Sequence, residues 1–137
     1  MNPLLVTAAI IEHEGKILLA KRKPDAPYPL MWEFPGGKLE PLEDPRDCIV
    51  REVLEELGID VEVERVYDVI YHRYPERTVL IIAYCCRWID GEIRELDVAG
   101  YCWANPDELL TFSLLPADIP LAVRLGKEFC SAHSSGL

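Results

Sequence analysis

The feature that most constrains the fold is residues 36–59, GGKLEPLEDPRDCIVREVLEELGI. Asp44 followed by Pro45 is typical of a helix N-cap and first-turn proline, and Gly58 occupies the place of a C-terminal cap. These signals together predict one helix over 45–57. The rest of the chain must be arranged around it.

Two sets of side chains alternate around this helix. An apolar set with the spacing i, i+3, i+4, i+7, which we expect to be buried, comprises Val50, Val53, Leu54 and Leu57. A carboxylate set on the opposite side comprises Glu52, Glu55 and Glu56. A solvated acidic face is the usual explanation of such a pattern. The alternative is a bound cation, because the glutamates repel one another and two of them lie near the negative end of the helix dipole.

A Pro-Gly-Gly turn at 35–37 favours the cation. Glycine backbone can approach a ligand closely, and the Gly36 carbonyl can be offered to a metal. Oxygen ligands of this kind suit Mg²⁺ or Mn²⁺ bridged to phosphates.

The same stretch resembles the Nudix box of the Nudix hydrolases. The match runs through Gly37, Glu43, Arg51-Glu52-Val53, Glu55-Glu56 and Gly58-Ile59, at the spacing of the box. The preceding residues 32–38, WEFPGGK, resemble the MutT-like branch, which hydrolyses nucleoside triphosphates. The resemblance covers nearly the whole chain. It implies one α+β domain over 1–137 with the Nudix fold, an α/β/α sandwich with a mixed β-sheet.

The resemblance also implies metal and catalytic residues. The metal ligands would be Gly36, Glu52, Glu55 and Glu56. Arg51 would orient the carboxylates and could reach Glu43. Either Glu52 or a loop acid would take the proton from water. Asp97 has the spacing to Trp103 expected of that acid, with Glu95 as the second choice, although similar enzymes usually carry glutamate there.

Substrate contacts follow from the same resemblance. Arg22 and Lys38 would bind the phosphates, the former in bidentate fashion. Phe34 is expected either in the core or stacked on a base, and Tyr74 would line the base pocket. Taken alone, Asp118 is best explained as a helix N-cap. By resemblance it reads the base edge, and the surrounding PADIPL is similar to CTP and modified-cytosine pyrophosphohydrolases, whereas the oxidised-guanine enzyme has Asn there.

Hydropathy patterns predict the remaining elements. Residues 4–12 and 16–22 should form a β-hairpin, 60–70 a half-buried strand and 78–86 a fully buried one. A short strand is expected at 101–103, a short helix from 106 to 110, and a last helix from about 118 to 129. Residues 131–137 are expected to form a flexible tail.

Composition limits the partners. A formal net charge of −10 argues against a nucleic-acid polymer or an anionic membrane surface, but suits a small anion bridged by metal. The five cysteines show no metal-binding spacing and are expected to be reduced core residues. The N-terminal stretch lacks a basic region before its apolar run, so a cytoplasmic protein is expected, as a monomer or a homodimer.

The expected function is therefore Mg²⁺-dependent hydrolysis of a (deoxy)nucleoside triphosphate to the monophosphate and pyrophosphate. Cytosine nucleotides and 8-oxo-dGTP are the candidate substrates, the latter making the protein a nucleotide-pool sanitation enzyme. A Nudix-fold nucleotide-binding module without catalysis is the alternative from another class. That alternative predicts an eroded box, whereas this box is intact.

Overall fold

A computed structural model of the chain describes residues 2–135, with side chains described as far as residue 128. Six strands form one sheet: β1 (Leu4–His13), β2 (Lys16–Lys21), β3 (Trp32–Glu33), β4 (Asp60–Arg73), β5 (Thr78–Asp90) and β6 (Gly100–Ala104). The helices are α1 (Pro45–Leu57), α2 (Ile119–Ser135) and two 3-10 turns, Pro106–Thr111 and Pro116–Asp118.

The sheet is mixed, as predicted. The strand order is β3-β2-β1-β5-β4, and β6 also pairs with β2. β1 and β5 are parallel, whereas the other pairs are antiparallel. Ala20 of β2 pairs with both Glu33 and Tyr101, so β3 and β6 lie on opposite edges of β2. Ile17 of β2 likewise pairs with both β1 and β6, so β1 lies on the same edge of β2 as β3, at the other end of the strand.

Two hydrophobic cores lie on the two faces of the sheet. Along β1, Ala8 and Ile10 face the core that contains α2, whereas Ala9 and Ile11 face the core that contains α1. This alternation follows from the two-residue period of a strand. The layers are helix, sheet and helix, which confirms the predicted α/β/α sandwich.

The ends of α1 are fixed by the residues that predicted them. The Asp44 carboxylate accepts a hydrogen bond from the Arg46 amide at 2.8 Å. At the other end Gly58 adopts a left-handed conformation with φ 73°, and its amide donates to the Leu54 carbonyl. The predicted bounds of 45–57 are confirmed.

The buried face of α1 differs from the prediction. Val53 and Leu57 are buried as expected, but Leu54 is 45% exposed and Val50 only partly buried. Cys48 and Ile49 are buried instead. The reason is that the sheet contacts the row 49, 53, 57, spaced four residues apart, and this turns the side of the helix with Glu56 inward.

The prediction that 78–86 is fully buried is wrong in part. Val79, Ile81 and Ala83 are buried, whereas Leu80 and Ile82 are half-buried. The buried residues face the core that contains α2, whereas Ile82 packs as a partly buried residue against the opposite core. Both strands also extend beyond their predicted bounds, to Arg73 and Asp90.

Cys48, Cys85, Cys86 and Cys102 are free thiols, buried or half-buried in agreement with prediction. The side chain of Cys130 lies outside the described residues. The expected tail at 131–137 falls partly in the last turns of α2 and partly outside the described residues, so its flexibility stays a prediction. Among the described helices, none has the length and apolar character needed to span a membrane.

Candidate active site

A cavity of about 490 Å³ opens beside β1, between the glycine turn, α1 and the start of α2. Eight of the predicted site residues line it: Arg22, Phe34, Gly36, Lys38, Glu56, Tyr74, Asp97 and Asp118. The side chains of Arg51, Glu52 and Glu55 lie outside this lining. We call one part of the site the carboxylate end. It comprises the lining residues Gly36, Gly37, Lys38, Glu56 and Asp97 together with the adjacent box residues Glu43, Arg51, Glu52 and Glu55. The part formed by Phe34, Tyr74 and Asp118 is the aromatic end.

The glycine turn is fixed against β1 by backbone hydrogen bonds. The Thr7 amide donates to the Gly37 carbonyl at 2.8 Å, and the Ala9 amide donates to Pro35 at 2.7 Å. Gly36 has φ 152°, and a Cβ atom there would lie 2.1 Å from the Thr7 carbonyl oxygen. Only glycine can therefore hold the turn at this distance from the strand.

Arg51 joins the acids of the box. Its Nε and Nη2 donate to the two carboxylate oxygens of Glu43 at 2.8 and 2.9 Å, the contact expected from the spacing. Its Nη1 donates to Glu52 at 2.7 Å and to Glu55 at 3.2 Å. The hydrogen bonds from Arg51 hold the pKa of Glu43 at about 2. Glu52 is thereby held with its other oxygen towards Gly37, where a Cβ atom would lie 2.4 Å from Oε2.

Glu56 reaches the cavity from the last turn of α1 and is 91% buried. Burial raises its pKa well above the ordinary range, and the charges of Glu33 and Glu52 add to the shift. Among the described residues, no basic side chain pairs with it. Within the same part of the chain, no three acidic, histidine or cysteine side chains converge closely enough to enclose an ion. Glu55 faces Arg51, whereas Glu52 contacts both Arg51 and Glu56.

Glu33 is a site residue that the sequence analysis missed. Burial raises its pKa, whereas the neighbouring Arg22 acts to lower it. Nη1 of Arg22 donates to both Glu33 carboxylate oxygens at 3.0 and 3.2 Å, and its Nε donates to the Pro27 carbonyl at 2.7 Å. The Glu33 charge raises the pKa of both Glu56 and Asp118, so it lies between the two ends. The sequence holds one signal that could have indicated Glu33, because it is an acid flanked by two aromatic residues in a strand.

Asp118 does not act as the helix N-cap that its sequence context favoured. Its carboxyl group is buried and accepts a hydrogen bond from the Phe34 amide at 3.1 Å. Burial, with a smaller contribution from Glu33, raises its pKa to about 8. Near neutral pH the group is therefore mainly protonated, and it can donate as well as accept.

Phe34 and Tyr74 hold the aromatic end in place. Phe34 is buried in the core beside α2, the first of its two expected positions, while still lining the cavity. The Tyr74 hydroxyl accepts a hydrogen bond from the Ala117 amide at 3.0 Å. The turn before α2 is thus tied to the end of β4.

Two further contacts cross the rim. Nζ of Lys23 lies 2.7 Å from Oδ1 of Asp97, and the Tyr28 hydroxyl donates to Glu76 at 2.7 Å. Lys23, Tyr28 and Glu76 line the cavity although the sequence analysis did not select them. Their positions depend on how the loops fold back, for which the sequence holds no local signal.

Residues 1–125 match the family model described as NUDIX domain. The chain belongs to the Nudix family. The family prediction from the box is thus confirmed, since the matched region contains the glycine turn and α1.

Individual Nudix relatives agree with this assignment. The chain is 39% identical over 121 residues to the CTP pyrophosphohydrolase of Escherichia coli (strain K12), covering 88% of this chain and 90% of that one. It is 31% identical over 126 residues to the 8-oxo-dGTP diphosphatase of the same organism, covering 91% and 98%. The crystal structure of the MutT protein from Methanosarcina mazei shares the fold, with a TM-score of 0.83, 23% identity and coverage of 93% and 96%.

Proposed function

We propose that the protein hydrolyses nucleoside triphosphates to the monophosphate and pyrophosphate, with a preference for cytosine nucleotides. The observation that carries the proposal is the carboxylate end, where Arg51 fixes Glu43 and Glu52 beside a glycine turn that admits no side chain. The similarity to a CTP pyrophosphohydrolase along most of both chains supports the choice of base.

Nudix hydrolases use divalent metal ions, and the residues of this site suit one. The pKa of Glu56 is high because its side chain is buried, lies near the acids Glu33 and Glu52, and pairs with no described base. A cation would offset that cost. We propose Mg²⁺, with Mn²⁺ as a substitute, held by Glu52, Glu55, Glu56 and the Gly36 carbonyl. Glu55 would have to turn away from Arg51 to take part.

When bound, such a cation neutralises polyphosphate charge and acidifies water. The chain itself would supply orientation and proton transfer. We assign the proton acceptor to Oε2 of Glu52, because Arg51 holds the other oxygen and the helix makes the position rigid. Asp97 is the alternative acceptor, on a loop at the same end of the cavity. Lys38, which also lines this end, would bind phosphate oxygens.

For Arg22 we propose a more limited role than the resemblance implies. Its guanidinium is already bound to Glu33 and to the Pro27 carbonyl. We propose that it binds phosphate with its remaining N–H groups while holding Glu33 in the cavity.

The aromatic end would bind the base. A protonated Asp118 offers a donor, and the nearby Glu33 carboxylate offers an acceptor. Cytosine presents the matching pair, an acceptor at N3 and a donor at N4. Tyr74 would then supply the apolar wall of this part of the cavity.

A second substrate, 8-oxo-dGTP, is favoured by one observation: the similarity to an 8-oxo-dGTP diphosphatase also spans nearly the whole chain. Guanine too presents an adjacent acceptor and donor, at O6 and N1. Asp118 and Glu33 could therefore form hydrogen bonds with either base. The preferred substrate must be identified by comparing the rates at which the nucleotides are hydrolysed.

The test is pyrophosphate release with Mg²⁺ from CTP, dCTP, 5-methyl-dCTP, 5-hydroxy-dCTP, dGTP and 8-oxo-dGTP, with ADP-ribose as the control. We expect the cytosine nucleotides to be hydrolysed with the highest kcat/KM. Preference for 8-oxo-dGTP would make the protein a sanitation enzyme. If no triphosphate is hydrolysed, the proposed reaction is wrong, and binding without turnover would indicate a nucleotide-binding module.

A further inference from the structure

Lys23 and Asp97 join two loops across the rim of the cavity. Nζ of Lys23 lies 2.7 Å from Oδ1 of Asp97, and both residues line the cavity. Lys23 lies just after β2, at the start of the proline-rich loop, whereas Asp97 belongs to the loop that precedes β6. The ion pair therefore closes one side of the rim at the carboxylate end.

The two partners differ in how firmly they are held. The amides of Leu96 and Asp97 both donate to the Glu56 carbonyl, each at 3.1 Å. Asp97 is thus anchored through its backbone to the residue whose carboxylate enters the cavity. Lys23 has a flexible four-carbon side chain ending in a point charge. If the contact opens, the ammonium group can move away, whereas the Asp97 backbone stays in place and only its short side chain can turn.

The contact itself is easily exchanged. The side chains of Lys23 and Asp97 are 44% and 59% exposed, and exposed ion pairs are weak. A triphosphate carries several negative charges and would compete successfully with one carboxylate for the ammonium group. The neighbouring Arg22 is already occupied by Glu33, which leaves Lys23 as the more mobile cation on this loop.

We infer that Lys23 exchanges partners during the reaction cycle, passing from Asp97 to a phosphate oxygen of the nucleotide and thereby releasing the Asp97 carboxylate into the carboxylate end. The inference rests on the proposed function, because it requires a polyphosphate in the cavity. It makes Lys23 a phosphate-binding residue whose departure from Asp97 frees that acid for catalysis.

The exchange predicts how polyphosphate affinity should respond to a substitution of Asp97. Asp97 competes with the polyphosphate for Lys23, so replacing Asp97 by a neutral residue should tighten polyphosphate binding. The gain should require Lys23. General repulsion between an acid and an anion would also tighten binding, but independently of Lys23. The dependence of one substitution on the other therefore separates the two explanations.

The experiment is calorimetric titration of the full chain in EDTA with tripolyphosphate and, separately, with α,β-methylene CTP, which is not hydrolysed. The variants are Asp97→Asn, Lys23→Met, the double variant and Lys23→Arg. Asp25→Asn is the matched control, since the Asp25 charge acts on Lys23 without contacting it. Omitting divalent ions keeps any metal-binding role of Asp97 out of the measurement.

We expect Asp97→Asn to lower Kd by about fivefold and Lys23→Met to raise it by about fivefold. In the Lys23→Met background, Asp97→Asn should change Kd no more than Asp25→Asn does. Lys23→Arg should retain most of the affinity. Under turnover with Mg²⁺, Lys23→Met should raise KM more than it lowers kcat.

The exchange would be wrong if Asp97→Asn lowered Kd equally in the presence and absence of Lys23. It would also be wrong if Asp97→Asn lowered Kd no more than Asp25→Asn does. If the wild-type protein hydrolyses triphosphates but shows no such dependence, the exchange alone is wrong. If it neither binds nor hydrolyses them, the exchange and the proposed function are both wrong.

Discussion

The two ends of the cavity are built in different ways. Most of the carboxylate end comes from one continuous stretch, in which the glycine turn and α1 fix the geometry between residues 36 and 58. The aromatic end brings together Phe34, Tyr74 and Asp118, which lie far apart in the chain and meet only when β4 and α2 pack. On the proposed function, a local motif would supply the hydrolytic chemistry, whereas the tertiary fold would decide which base is bound. The two properties can change separately.

Glu56→Gln is expected to have the largest effect of the substitutions that test this separation. We expect kcat for triphosphate hydrolysis to fall by about 10³-fold or more, because the substitution removes a charge proposed to hold the cation. Without divalent ions at neutral pH the melting temperature should stay close to that of the wild type, since burial raises the pKa of Glu56 and favours its neutral form, which glutamine resembles.

Glu64→Gln, the same substitution on the exposed side of β4, is the control for Glu56→Gln and should keep full activity. Added Mg²⁺ should raise the melting temperature of the wild type more than that of Glu56→Gln. Near-normal turnover by Glu56→Gln would show that the carboxylate end does not take part in hydrolysis as proposed.

Asp118→Ala tests the aromatic end. We expect kcat/KM for the preferred base to fall by about 10²-fold, because buried groups that hydrogen-bond a base are left unpaired when one partner is removed. Tripolyphosphate binding should be unchanged. Asp118→Asn, which resembles the neutral acid, should retain most of the preference. An equal loss of affinity for tripolyphosphate would show that the two ends are not independent.

Arg51→Lys sharpens the comparison within the carboxylate end. Lysine cannot reproduce the paired contact with Glu43 while also holding Glu52, so kcat should fall by about tenfold with little change in base preference. The pKa of Glu43, measured by NMR, should rise from about 2 towards its ordinary value. Arg87→Lys, in an exposed pair with Glu62, is the control. An altered base preference in Arg51→Lys would contradict a purely local role.

The smallest expected effect is on stability. The pKa of Asp118 is raised to about 8 in the folded chain, so the folded state holds a proton that the unfolded chain releases near pH 4. The resulting stability is present below pH 4 and is lost as the pH rises towards 8. The free energy of unfolding should therefore fall by about 1–3 kcal/mol more in the wild type than in Asp118→Asn between pH 5 and 8. Urea unfolding in EDTA measures this difference, and parallel curves would contradict the assignment.

The contrast between local sequence and tertiary packing also explains which features could be predicted from the sequence. The bounds of α1 and the contact between Arg51 and Glu43 depend on neighbouring residues, and both were predicted. The buried face of α1 was not, because the sheet beneath decides whether Leu54 or Ile49 is covered. Asp118 was ambiguous, since its partner is an amide of Phe34 from the other end of the chain.

Glu33 and Lys23 were missed for a related reason. Strand pairing brings Arg22 to Glu33, and two loops bring Lys23 to Asp97, and neither contact has a signature in spacing alone. The resemblance to the Nudix family supplied most of the other site residues.

The alternation along β1 has a consequence for how the molecule unfolds. Its odd and even side chains belong to opposite cores, and its backbone also holds the glycine turn. Neither core can open without losing this strand, so we expect a single cooperative transition with the slowest hydrogen exchange at the β1 amides. Although the two ends of the cavity can be altered separately by mutation, heat should destroy them together.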